Sequence, residues 1–149
     1  MERVAVFVLV SLLCLSSARA VDVVSGVVDP YLRIQAALAA DATAGVKENA
    51  EAIVAAAGAL GTQGAPMKRA AQELQGATDL AAARAAFWKL SDALLDYAES
   101  TKTSVGAGSR TAYCPMEKKY WVQKDGQIEN PYAGRKMLRC GELVTSRKK

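Results

Sequence analysis

The sequence predicts a mainly α protein: an antiparallel four-helix bundle followed by a small, partly β or irregular C-terminal module that carries cysteine and methionine. Three observations predict it. Residues 29–103 are rich in alanine, and their larger apolar side chains recur at spacings of three and four. The stretch TKTSVGAGSRT (101–111) is polar, small and without period. Beyond it the composition changes to strand formers, turn signals and a pair of cysteines. A chain of 149 residues holds one domain, or one domain and a small appendage.

The first 20 residues are expected to be removed. Glu2 and Arg3 precede the apolar run VAVFVLVSLLCL, and SSARA follows with Ala18 and Ala20 at an A-x-A site. The run is too short for a permanent anchor. Leu13 stands before Cys14 where lipid attachment calls for a small residue, so cleavage after Ala20 and a periplasmic or secreted location are expected.

The elements follow in order. Asp29-Pro30 is an expected helix start, with Tyr31, Ile34 and Leu38 on one stripe. Asp41 is the expected cap of a second helix bearing Val46, Ala50, Ile53, Ala57 and Leu60. GTQGAP (61–66) breaks the pattern, and a short helix from about Met67 to Leu74 follows. Thr78-Asp79 opens the most clearly patterned helix, whose stripe is Leu80, Ala83, Phe87, Leu90, Leu94 and Tyr97. Phe87, Trp88 and Tyr97 read as core rather than as a cofactor pocket. Residues 21–104 are therefore assigned to the bundle, 105–111 to a linker and 112–149 to the module. In the module, Tyr120, Trp121 and Val122 read as a strand, Asp125-Gly126 as a hairpin turn, and Asn130-Pro131 as a second turn.

Composition excludes several functions. The chain has no histidine, which removes histidine general bases, Ser-His and Cys-His nucleophiles, histidine metal ligands and c-type haem attachment. No catalytic residue is assigned, and an enzyme is not expected. The formal net charge is +4, and loss of Glu2, Arg3 and Arg19 lowers it by one. The basic excess lies in the last third with few interleaved aromatics, so it reads as a solvated face and not as a nucleic-acid site.

The module is too small to hold a hydrophobic core of its own, so it must lean on the bundle, be bridged, or be organised by a metal. Cys114 and Met116 lie at i and i+2 around Pro115, on one face of an extended segment. Met137 and Cys140 lie at i and i+3, on one side of a helical turn. Two thiolates and two thioethers form a soft set suited to Cu(I) or Ag(I), and zinc fits less well because its structural sites use imidazole and thiolate. The alternative is a Cys114–Cys140 disulfide, since two cysteines of an exported protein meet an oxidising compartment. Such a bridge would close a loop of about 27 residues, stabilising by roughly 3.5 kcal/mol in the chain-entropy view, with the methionines as adaptable packing. Spacing alone favours the disulfide.

A resemblance bears on the choice. YCPM, then YW, then I-x-NPY-x-G-x-x-M-L-x-CG resembles the C-terminal signature of an uncharacterised bacterial periplasmic domain family. That family occurs alone or fused to periplasmic adaptor subunits of heavy-metal (copper/silver) efflux pumps. The opening helix is similar too, at Tyr31, Leu32, Ile34, Ala37, Leu38 and Asp41. The signature falls on Tyr113, Cys114, Pro115, Met116, Trp121, Ile128, Asn130, Pro131, Tyr132, Gly134, Met137, Cys140 and Gly141. Only Glu117-Lys118-Lys119 separates Met116 from Tyr120, shorter than the family pattern. The resemblance implies soft-metal binding and brings that reading level with the disulfide. The ligands would be Cys114, Met116, Met137 and Cys140. Tyr113, Trp121 and Tyr132 would shape the pocket, and Pro115, Asn130, Pro131, Gly134 and Gly141 would set its turns. The implied partner is a metal-efflux adaptor or a metallochaperone. The rival is a metal-free interaction module whose C-terminal segment is stapled to the bundle.

Overall fold

The computed structural model describes residues 22–148; the expected export signal, with Cys14, lies outside the described residues. Four α-helices precede a small antiparallel sheet: α1 (Asp29–Ala39), α2 (Val46–Ala59), α3 (Ala65–Gln75), α4 (Leu80–Thr101), then β1 (Ser109–Cys114), β2 (Lys119–Lys124) and β3 (Glu142–Val144). A π-helical turn, Val24–Val28, runs directly into α1, and a 3-10 turn, Gly134–Met137, lies between β2 and β3.

The helix starts differ from expectation at two of four places. Asp29 makes no cap, because the chain is already helical through the π turn before it. Pro30 has no amide to give that turn and its ring crowds the carbonyl four residues back; a wider π turn relieves the crowding. Nor does Asp41 cap α2. The cap position falls to Gly45 at φ +76°, and Asp41, itself at φ +59°, turns its carboxylate elsewhere. Asp79 does cap α4, accepting from the Ala82 amide at 2.8 Å.

Consecutive helices pack on one another, and β2 lies across both α1 and α4. The α4 stripe buries Ala83, Phe87, Leu90 and Leu94 as its spacing requires. Trp88 departs from the reading as core: it is 40% exposed. One apolar core joins helices and sheet, running from Val27, Tyr31 and Ile34 through Phe87 and Leu90 to Trp121, Val122 and Tyr132. The C-terminal segment, too small to bury itself, leans on the helices.

The sheet order is β2-β1-β3. Ala112 faces Trp121, Cys114 faces Lys119, and Tyr113 faces both Tyr120 and Glu142. β1 starts at Ser109, inside the stretch read as linker, so the connection from α4 is 102–108, three residues earlier than 105–111. The hairpin turn is also misplaced by the sequence reading. It falls at Pro115–Lys118, with Lys118 at φ +54°, whereas Asp125-Gly126 follows β2 and leads into a loop. The strand that pairs with β2 precedes it, so the Asp-Gly tip has no following strand to register.

Candidate functional site

Cys114 closes β1, facing inward and fully buried, while Cys140 sits partly exposed just before β3. The structure brings the two sulfurs together at 2.8 Å. Backbone amides meet both. The Glu117 amide donates to Cys114 Sγ at 3.5 Å, and a backbone hydrogen bond from Met116 reaches Cys140. The turn after Pro115 therefore wraps the pair. The Cys140 thiol titrates above its ordinary range, first through its hydrogen bond with Cys114 and next through desolvation, with the Met116 amide opposing.

The methionines are placed differently from each other. Met116 is 71% exposed on the hairpin turn, so its thioether is turned to solvent rather than packed. Met137 is half-buried at the end of the 3-10 turn, and its carbonyl accepts from the Cys140 amide at 2.9 Å. Among the described residues, no group of three or more His, Cys, Asp or Glu side chains is placed to hold a metal. Two sulfurs are fewer donors than a four-coordinate zinc site uses.

Asn130 builds the segment that carries Cys140. Fully buried, it donates from Nδ2 to the Cys140 carbonyl at 2.8 Å, and its Oδ1 accepts from the amides of Tyr132 and Ala133. Its own amide donates to the Leu138 carbonyl at 2.9 Å. Pro131 is buried beside it and accepts from Arg84 Nε through its carbonyl. Gly141, at φ +139°, passes under Trp121: a Cβ there would lie 2.8 Å from the indole and 2.9 Å from the Tyr113 carbonyl. Trp121 is itself fixed, its Nε1 donating to Gln123 Oε1 at 3.1 Å.

Below this segment lies a clamp that the sequence reading did not anticipate. Arg84 on α4 donates to the carbonyls of Leu38 and Pro131 and to Asp41 Oδ1, the last at 2.5 Å. Asp41 Oδ2 accepts in turn from the Arg135 amide at 3.2 Å. The hydrogen bond from Arg84 leads in holding the Asp41 carboxyl below the usual carboxylate range. Gly134 allows the close approach, since a Cβ there would stand 1.8 Å from Asp41 Oδ1.

A buried hydroxyl cluster ties sheet to helices. Tyr31 Oη lies 2.7 Å from Ser91 Oγ and accepts from the Val122 amide at 3.1 Å. Tyr132 Oη lies 3.0 Å from Ser91 Oγ and 2.7 Å from the Tyr120 carbonyl, and its single proton serves one of the two at a time. Burial raises both phenols, so they stay neutral. Tyr132 also takes Lys119 Nζ over its ring at 5.2 Å, with Trp88 on the other cation–π contact at 5.6 Å. Tyr113 packs against Tyr120 with the rings tilted by 34° and 4.5 Å between centroids, on the sheet next to Cys114.

A family model described as "Protein of unknown function (DUF3347)" matches residues 27–106. The chain belongs to this family. The DUF3347 match runs from the π turn through α4 and ends before β1, so the thiol pair and the Asn130 segment lie beyond it. No curated protein and no solved structure matches the chain.

Proposed function

We propose that this is an exported soft-metal-binding protein, taking Cu(I) or Ag(I) on Cys114 and Cys140 in metal handling or efflux. The observation that carries the reading is the juxtaposition of two cysteine sulfurs 2.8 Å apart at the end of the central strand β1, each met by a backbone amide. The exposed Met116 thioether, two residues from Cys114, and Met137, three from Cys140, supply further soft donors nearby. The helices, taken as an antiparallel bundle, are the scaffold. A periplasmic efflux adaptor or a metallochaperone is the partner this cargo implies, and no catalytic step is assigned.

Loading requires movement. With metal–thiolate bonds of about 2.3 Å, as for zinc, sulfurs on opposite sides of one ion lie roughly 4.6 Å apart. The pair must therefore open, and Cys140, whose backbone is held by Asn130 but whose side chain is partly exposed, can open by rotating its sulfur toward solvent.

The same distance supports a second reading: a metal-free interaction module with a Cys114–Cys140 disulfide. Two sulfurs at 2.8 Å are nearer to bond length than to a shared ion. A thiol count on protein purified without reductant, with and without added Cu(I), separates the two. Two free thiols that disappear on addition of about one Cu(I) per chain support metal binding. No free thiols and no copper uptake after reduction support the staple.

A further inference from the structure

We propose that Cys114 and Cys140 form an ordered thiol–disulfide exchange site, in which Cys140 is the thiol that attacks a small external disulfide and Cys114 is the thiol that resolves it. The proposal rests on the unequal exposure of two adjoining sulfurs and is independent of metal binding. Cys114 is fully buried beneath the turn that follows Pro115, and Cys140 is partly exposed. An external disulfide can reach only the second.

The step balances as follows. The Cys140 thiolate attacks one sulfur of a disulfide of the glutathione class; that bond breaks, and one thiolate leaves and takes a proton. The mixed disulfide now holds its leaving sulfur on the solvent side of Cys140. Exchange proceeds in line, with attacking and leaving sulfurs on opposite sides of the central one. Cys114 lies on the inner side, its sulfur already 2.8 Å from Cys140 Sγ. Its thiolate attacks Cys140 Sγ and expels the second external thiolate. Two protein thiols lose two electrons and two protons, and one external disulfide becomes two thiols.

The surroundings hold the pair together while this happens. Asn130 Nδ2 pins the Cys140 carbonyl, and Gly141 is confined under Trp121.

The test uses reduced, metal-free full-length protein and oxidised glutathione, with samples quenched by acid and read by intact mass and peptide mapping. The wild type should lose two protons with little adduct accumulating. Cys114→Ser should accumulate a glutathione adduct on Cys140. Cys140→Ser should react about tenfold more slowly or less, its remaining thiol being buried. Equal rates in the two variants overturn the proposal. Should either variant lose its fold by circular dichroism, the wild type decides: with substoichiometric iodoacetamide the label should fall on Cys140. Label falling first or equally on Cys114, or no reaction at either cysteine, overturns the assignment.

Discussion

Asn130 and Cys140 are joined by a hydrogen bond of 2.8 Å from a buried side-chain amide to a backbone carbonyl, which fixes one half of the thiol pair from ten residues away. The same side chain accepts from two amides of the following turn. A residue of turn composition in the sequence is therefore the internal frame of the segment, using its donor and its acceptor at once.

Asn130→Ala should be costly for that reason. It strands one carbonyl and two amides in a buried turn, and each unsatisfied group costs about 1–3 kcal/mol where water cannot reach it. Two of the three bonds are only part-buried, so a loss at the low end of that sum, roughly 3–5 kcal/mol in urea unfolding, is expected. The variant should also expose Cys140 further, read as faster alkylation under native conditions. Unchanged stability would mean that the Asn130 bonds are not formed in solution.

Gly134→Ala tests the clamp between helices and C-terminal segment. The added methyl would fall on the Asp41 carboxylate and the Arg84 guanidinium, 1.8 and 2.1 Å away, at a φ of +58°. The strained backbone alone costs about 1 kcal/mol, and the ion pair must also move. The melting temperature should fall by more than in Gly61→Ala, where φ is a similar +65° and nothing lies within 4 Å of the new Cβ. Equal shifts in the two variants would show that the clamp adds nothing.

How much of this was legible in the sequence follows from the range of each signal. The α4 stripe and the Asp79 cap are local patterns, and both hold in the structure. Cys114 and Cys140 are adjacent in the structure, and in a two-cysteine module each has one other cysteine to meet. Arg84, Ser91 and Gln123 were missed, since each acts on residues more than 40 positions away or inside a loop with no period of its own. Asp41 was misread as a cap because capping is the commoner use of an aspartate between helices. Its actual partners, Arg84 and the Arg135 amide, are 43 and 94 positions off. The exposure of Met116 depends on where the hairpin turn falls, and the Asp-Gly signal pointed to the wrong place.

The clamp gives the protein an acid limb of defined sign. The Asp41 carboxyl titrates below its ordinary value in the folded state, through the Arg84 hydrogen bond first. Its contribution to stability is therefore fully present above the unfolded carboxylate pKa and is lost as pH falls through the depressed one. The Arg135 amide resonance, whose donor bond ends on Asp41, should shift in that acid window. Asp41→Asn should remove the transition while lowering stability at neutral pH. A shift that persists in Asp41→Asn would assign it to another carboxylate.

The sulfur site makes the widest set of predictions, because the two functional readings give opposite profiles. If Cys114 and Cys140 hold a soft ion, reduced protein should take up about one Cu(I) per chain in a competition titration. Cys→Ser at either position should nearly abolish uptake, since a thiolate brings charge as well as a soft donor. Met137→Leu, half-buried beside Cys140, should weaken binding modestly, and Met116→Leu should weaken it only if the exposed thioether folds in on loading. Protons compete with the ion for thiolates, and the Cys140 thiol titrates above its ordinary range. Affinity should therefore rise with pH through neutrality and keep rising beyond the usual thiol range. The metal-free staple predicts instead negligible copper uptake, methionine variants that behave as wild type, and a loss of roughly 3.5 kcal/mol on reduction. Copper retained equally by wild type and the double Cys→Ser variant would remove the thiol pair from the metal chemistry altogether.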